Sequence, residues 1–167
     1  MALDMENTPS RAHLGGSEST PPGERQWEGR VDANIGPFST VLMNALVVED
    51  SPRIAERLVE LVSIPGQVEV VATAETESEA TEACNAHDID LAIVDLQLAE
   101  GTGFGVIRAL REAGRQRNAC IVVLTNHAVP ALRNAAFAAG ADYFLDKSKD
   151  FATLPQLIDQ LLAGRKN

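Results

Sequence analysis

The sequence predicts an α/β domain: a doubly wound, five-stranded parallel sheet with helices on both faces, an α/β/α three-layer sandwich. Three observations carry that prediction. From Asn44 onward, short apolar runs alternate with longer amphipathic segments of helical period. The short runs are continuously apolar, the pattern of parallel strands buried on both faces. All but one of them stop at the C-terminal side on an acid, a hydroxyl or a lysine. Strands of one direction end at a common rim, and in open parallel sheets ligands bind beyond that rim.

The first run, "ALVV", ends at Glu49 and Asp50. Met43 lies directly before it, which suggests that translation starts there and that the preceding leader is not part of the native protein. "SPRIAERLVELV" then repeats apolar residues at Ile54, Ala55, Leu58, Leu61 and Val62, the spacing of one helix face. Ser51 is placed to cap this helix, and Pro52 suits its first position. "VEVVATA" is the run without a polar end, and its weaker apolarity suits an edge strand. "TESEATEACNAH" is the faintest helix, with Ala80, Ala83 and Cys84 inward and the acids from Glu75 to Glu82 on a solvated face.

"LAIV" stops on Asp95. "GFGVIRALREAG" sets Phe104, Ile107 and Leu110 on one stripe, with Gly114 as its stop. "CIVVL" ends at Thr125. "VPALRNAAFAAG" aligns Leu132, Ala135, Ala136 and Ala139 before a second stop at Gly140. "YFL" leads through Asp146 to Lys147, and the last helix carries Leu154, Leu157, Ile158, Leu161 and Leu162.

The 167 residues suit one domain with a tail. Residues 1–40 include "ENTPSRAHLGGSESTPPGERQWEGR", rich in Gly, Pro, Ser, Thr and charge, and have a disordered composition. Trp27 within them is more simply incidental than a partner anchor. Hydrophobic residues reach 45% but aromatics only 4%, so the core is aliphatic. A formal charge of -10 argues against nucleic acid and against anionic membrane surfaces. No apolar run approaches a membrane span, and no secretory signal opens the chain. Cys84 and Cys120 match no metal or redox spacing, which points to a reduced, cytoplasmic setting. No zinc motif surrounds the histidines, and His127 reads as a solvated loop residue. The "GTGFG" segment lacks the spacing of a dinucleotide loop and reads as a turn opening a helix.

The rim groups suggest chemistry. Glu49, Asp50 and Asp95 gathered in one place would repel, and a hard divalent cation such as Mg²⁺ resolves that with oxygen ligands. Thr125 adds a hydroxyl, and Lys147 a compact positive charge for a phosphoryl oxygen. A carboxylate such as Asp95 can also act as nucleophile and form an aspartyl phosphate. At the mouth of a polar pocket Asp95 has no need to be buried. Each residue taken singly has a plainer reading: a strand-end acid, a turn, a threonine closing a strand, or, for Phe144, a core aromatic.

Four motifs in order on alternating strands, "VVEDS", "IVDLQL", "VLTN" and "FLDKS", make the segment from Asn44 to Leu162 resemble a response-regulator receiver domain of two-component signalling. The resemblance implies a flavodoxin-like sheet of order 2-1-3-4-5 and a receiver domain over residues 44–167. It implies that Asp95 accepts a phosphoryl group from a histidine kinase or a histidine phosphotransfer protein. Asp50 would hold Mg²⁺ directly and Glu49 through water, with Asp95 and the backbone carbonyl of Gln97 completing the ligands. Thr125 and Lys147 would bind the phosphoryl oxygens. Thr125 and Phe144 would form the switch, Phe144 moving inward on phosphorylation to remodel the face of the fourth helix, fifth strand and fifth helix.

The chain ends soon after the fifth helix, so a stand-alone receiver is expected, with output through a protein partner, a phosphorylation-dependent dimer or onward phosphotransfer. Against the family pattern, Ala99 and Ser148 stand where proline is common. The first implies a looser loop, and the second removes the reason for a cis peptide. Asn126 is larger than the residue usual at its position and would narrow access to Asp95. Gln97 and His127 sit where aspartyl-phosphate lifetime is tuned. Two other readings compete: an aspartate-nucleophile phosphatase, which wants a second acid where Gln97 stands, and a binding module that is never phosphorylated.

Overall fold

The computed structural model describes residues 42–112, 116 and 118–165. The predicted tail with Trp27, and the helix stop at Gly114, lie outside these residues. In chain order the elements are β1 (Met43–Val48), α1 (Pro52–Val62), β2 (Val68–Ala74), α2 (Glu77–Ala86), β3 (Leu91–Val94) and α3 (Gly103–Glu112). Then come β4 (Cys120–Thr125), α4 (Pro130–Ala139), β5 (Tyr143–Asp146) and α5 (Leu154–Arg165), the last entered through a 3₁₀ turn at Phe151–Thr153. All strands pair in parallel, in the order β2-β1-β3-β4-β5. Met43, expected just ahead of the first strand, is its first residue and is buried. The edge role of "VEVVATA" is borne out, and a register irregularity between Ala45 and Leu46 marks the β1–β2 pairing.

Side-chain alternation divides the sheet residues between two cores. Leu46, Val48, Ala92, Val94, Ile121, Val123 and Phe144 pack with α2, α3 and α4 on one face. Ala45, Val47, Leu91, Ile93, Val122 and Leu124 pack with α1 and α5 on the other. The five α5 residues expected inward are all buried. In α4 only Ala136 is fully buried; Ala135, placed inward by periodicity, is exposed. The inward stripe runs Leu132–Ala136–Ala139, and Ala135 falls beside it. Gly140 ends α4 in the left-handed region, at φ 117, as its position implied. Ser51 occupies the N-cap of α1 but its side chain caps nothing. Its backbone N–H instead donates to Oε1 of Glu49 at 3.1 Å.

Two anchors had no sequence signature. Arg111 on α3 donates to the carbonyls of Ala119 (2.8 Å) and Gly140 (2.7 Å) and to Oδ2 of Asp142 (2.7 Å). It thereby joins α3 to both ends of the α4–β5 connection and to the residue just before β4. Gln116, buried, donates through Nε2 to the carbonyls of Cys84 and His87, serving the C-terminal end of α2, where helices leave carbonyls unpaired. Cys84 and Cys120 are free and buried; burial pushes the Cys84 thiol up to about 11 and raises Cys120 further. Both are packing residues. Among the described residues no helix is long and apolar enough to cross a membrane.

Replacing Arg111 by Ala leaves buried carbonyls and the Asp142 carboxylate without their charged donor. Charge-assisted hydrogen bonds in such settings are worth about 1.5–3 kcal/mol, so Arg111→Ala is expected to lose about that much stability. Urea unfolding measures it, as a lower midpoint at unchanged slope.

Candidate functional site

The parallel register brings the strand ends together. Val48 pairs with Val94, so Glu49 and Asp95 leave β1 and β3 at one level, and Thr125 pairs with Asp146 at the end of β5. Alternation then sorts the side chains. Val48 and Val94 face α2–α4, so Glu49 and Asp95, one residue on, turn to the α1/α5 side. Leu145 packs on the α1/α5 side, so Lys147, two residues later, points there as well. Thr125 and Phe144 fall on the opposite side, beneath α4.

The outcome is a three-member ion cluster. The Lys147 ammonium donates to Oε2 of Glu49 and, at 2.6 Å, to Oδ2 of Asp95. The second oxygen of each acid takes a backbone N–H: Ser51 to Glu49 Oε1, and Gln97 to Asp95 Oδ1 at 3.2 Å. Asp95 is only 7% exposed, which corrects the expectation that it need not be buried. An acid can be buried when its charge is paired and hydrogen-bonded, and here Lys147 supplies both. Asp50 is exposed, and the carboxylates of Glu49, Asp50 and Asp95 each place an oxygen within 4.8 Å of the others.

The ion cluster raises both Glu49 and Lys147, for different reasons. Burial raises the Glu49 carboxyl above its ordinary value of 4.5, and the hydrogen bond from Lys147 only partly offsets it. Burial alone would lower the Lys147 ammonium; its hydrogen bonds to Asp95 and Glu49 outweigh that and raise it above 10.5. The Lys147 contribution to stability is therefore complete below the ordinary lysine value and lost as pH climbs through the raised one. For Glu49 the strain of burying a charge eases as pH falls.

Thr125 is fully buried at the end of β4, its Oγ1 accepting the His127 N–H at 3.3 Å. Phe144 is buried, at 5% exposure, as its plainer reading as a core aromatic expects. Its ring lies 6.5 Å from that of Phe137 on α4, and the Arg133 guanidinium sits 5.6 Å from the Phe144 centroid. Phenylalanine has no hydroxyl to keep hydrated, so nothing polar opposes this burial.

The departures at the two proline positions are put to use. The Ala99 N–H donates to the carbonyl of Glu75 at 3.2 Å, tying down the loop expected to be looser. The Ser148 N–H and hydroxyl both reach Oδ1 of Asp146, at 2.8 and 2.6 Å. These bonds hold the Asp146 carboxyl below its usual range. Among the described residues no peptide bond is cis. Asn126 and Lys147 border a cleft of about 350 Å³ completed by Ile54, Arg57 and Phe151. The Arg57 guanidinium lies 5.3 Å above the Phe151 ring. Neither Arg57 nor Phe151 was singled out from sequence, since the two meet only when α1 and α5 pack side by side.

Residues 45–159 match the response regulator receiver domain model. The chain belongs to this family. Receivers serve two-component signalling, accept phosphate from histidine kinases and bind Mg²⁺ at an acidic site. The trio of Glu49, Asp50 and Asp95, all oxygen donors, fits such a hard ion.

Relatives include the photosynthetic apparatus regulatory protein RegA of Cereibacter sphaeroides, 34% identical over 63% of this chain and 55% of its own. The nitrate/nitrite response regulator protein NarP of Escherichia coli is 31% identical, over 72% of this chain and 54% of its own. The receiver thus spans about half the length of these relatives. Among solved structures, CheY4 of Vibrio cholerae superposes with a TM-score of 0.63 at 26% identity, over 71% of this chain and 98% of its own. That similarity, together with the observed strand order, establishes the flavodoxin-like arrangement predicted from sequence.

Lys147→Met removes the partner of two buried acids. Breaking a buried pair in this way costs about 3–5 kcal/mol, so the variant is expected to melt well below the parent at pH 7. Because the Glu49 carboxyl, already raised by burial, becomes neutral on acidification, the gap between the two should narrow toward pH 5. Thermal melts of both proteins across that range check the sign.

Proposed function

We propose that Asp95 is the phosphoacceptor of this receiver, taking its phosphoryl group from a histidine kinase or histidine phosphotransfer protein. The observation that carries the reading is Lys147, whose ammonium is held against Asp95 at the edge of an acidic trio. Transfer requires a bond from an Asp95 oxygen to phosphorus while the phosphorus–nitrogen bond to the donor imidazole breaks. The Gln97 N–H fixes one Asp95 oxygen and so orients the carboxylate for attack. The Lys147 ammonium can pass from Asp95 to an oxygen of the arriving phosphoryl group, following the new charge. Arg57, across the cleft, adds a second cation on the donor's side. Asp50, Asp95, the Gln97 carbonyl and, through water, Glu49 would hold Mg²⁺. Bound there, the ion would neutralise the crowded carboxylates and the phosphoryl oxygens.

The Thr125 hydroxyl would bind the phosphoryl group from the other side of the sheet. Phosphorylation adds charge and acceptor oxygens there and shifts an existing equilibrium by its differential contacts. Because Phe144 already rests inside, the readout is a tightening of a pre-set α4–β5–α5 face rather than its creation. Phe137 and Val129, both exposed on α4 and its entry, offer that face to an output protein or a second phosphorylated copy. The formal charge of -10 favours a protein over nucleic acid as the direct contact, although a Bacillus subtilis relative, 23% identical, is named transcriptional regulatory protein DesR. We read the protein as a cytoplasmic receiver, a setting that suits its two free buried cysteines.

Incubation with acetyl phosphate and Mg²⁺ is expected to add the mass of one phosphoryl group to the wild type and none to Asp95→Asn. An equal gain in both would remove Asp95 from this role. Mg²⁺ at millimolar concentration should raise the melting temperature through binding to the folded state. Asp50→Asn should lose most of that rise while melting near wild type without metal, since Asp50 is exposed and outside the Lys147 cluster.

A further inference from the structure

The "GTGFG" segment, residues 101–105, has no part in the function proposed so far, yet its glycines are constrained by their surroundings. Gly101 has φ 76, a left-handed conformation that favours glycine. A Cβ on Gly101 or Gly105 would overlap the Glu77 side chain, and one on Gly103 would overlap the carbonyl oxygen of Asp95 and lie 2.8 Å from Leu96 Cα. The three glycines therefore make room for two things: the main chain of the phosphoacceptor and one glutamate from α2.

Glu77 was read from sequence as one of a row of solvated acids. It is half-buried, and its Oε2 accepts the Thr102 N–H at 2.8 Å. Thr102 pairs in antiparallel fashion with Gln97, and Gly103 N–H donates to the Leu96 carbonyl at 3.0 Å. Gln97 in turn donates to Asp95. A short run of contacts thus leads from α2 to the phosphoacceptor and to the loop carbonyl assigned to the metal. Two main-chain bonds run parallel to it, Glu77 N–H to Glu100 at 3.0 Å and Ala99 N–H to Glu75 at 3.2 Å. A carboxylate in the first turn of a helix is also favoured by the helix dipole, which keeps Glu77 where it is.

We propose that Glu77 is a positioning residue for Mg²⁺ binding and phosphoryl acceptance, holding the Asp95–Thr102 loop through the Thr102 N–H; the inference rests on the phosphoacceptor reading above. Outer partners of metal ligands commonly change affinity by 10–100-fold when removed. The bond here is solvent-accessible, so the lower end applies.

The test compares wild type, Glu77→Ala, Glu77→Gln and Gly105→Ala. It combines calorimetric Mg²⁺ titration, intact-mass rates of phosphorylation by acetyl phosphate, and metal-free melting curves. Glu77→Ala is expected to weaken Mg²⁺ binding roughly tenfold and to slow phosphorylation at limiting Mg²⁺, with recovery at saturation. Gly105→Ala, which displaces the glutamate without removing it, should do the same. Glu77→Gln keeps an acceptor oxygen and should stay near wild type. Wild-type Mg²⁺ affinity in Glu77→Ala overturns the inference, and so does a Glu77→Gln as impaired as Glu77→Ala. If the wild type takes up neither Mg²⁺ nor a phosphoryl group, the phosphoacceptor reading falls first and this inference with it.

Discussion

A single ammonium holds the functional rim together. Lys147 is 98 residues from Glu49 and 52 from Asp95 in sequence, and it can touch both only if β1, β3 and β5 run the same way and end at one level. Two buried carboxylates without it would be strongly unfavourable. The topology and the charge cluster therefore demand each other. An arriving phosphoryl group would compete for the same ammonium, so chemistry at Asp95 and the balance of charge in the folded state cannot be separated.

The parity of the strands gives the sheet two distinct jobs. On the α1/α5 side, Glu49, Asp95 and Lys147 meet a cleft that Arg57 and Phe151 help to line. On the α4 side, Phe144 lies beneath Arg133 and Phe137, and Thr125 closes β4 on the same face of the sheet. A change at the rim can reach α4 through two or three residues, and α4 is the helix least fixed by burial, with Ala136 its one fully buried residue. An element with few buried contacts is the one that a modest energy can move.

Continuous apolar runs and strand-end polar groups made the sheet and its rim legible in the sequence. Periodicity placed all five α5 residues correctly because that helix is packed along its whole length. It misplaced Ala135, where alanines on adjacent faces give no contrast. The acids, Thr125 and Lys147 were legible because each closes a strand. Arg57, Glu77, Arg111, Gln116 and Arg133 were not, because each acts across a boundary between elements that no local pattern marks. The burial of Asp95 was missed for a related reason: it depends on what sits over it, the Lys147 ammonium.

Ala99 and Ser148 bear on how rigid the rim is. Proline would stiffen either position by removing freedom from the unfolded chain, but it would also delete an N–H. In this protein both of those N–H groups are hydrogen-bonded, to the carbonyl of Glu75 and to Oδ1 of Asp146. Asp146 also has its own N–H bonded to Asp150 Oδ2 at 2.9 Å, and the Lys149 and Asp150 N–H groups close back on its carbonyl. Stiffness that a proline ring would carry covalently is carried instead by contacts with the turn into α2 and with the turn into α5. Such contacts can be made and broken, so the order of the rim becomes a function of whatever engages those two neighbouring elements.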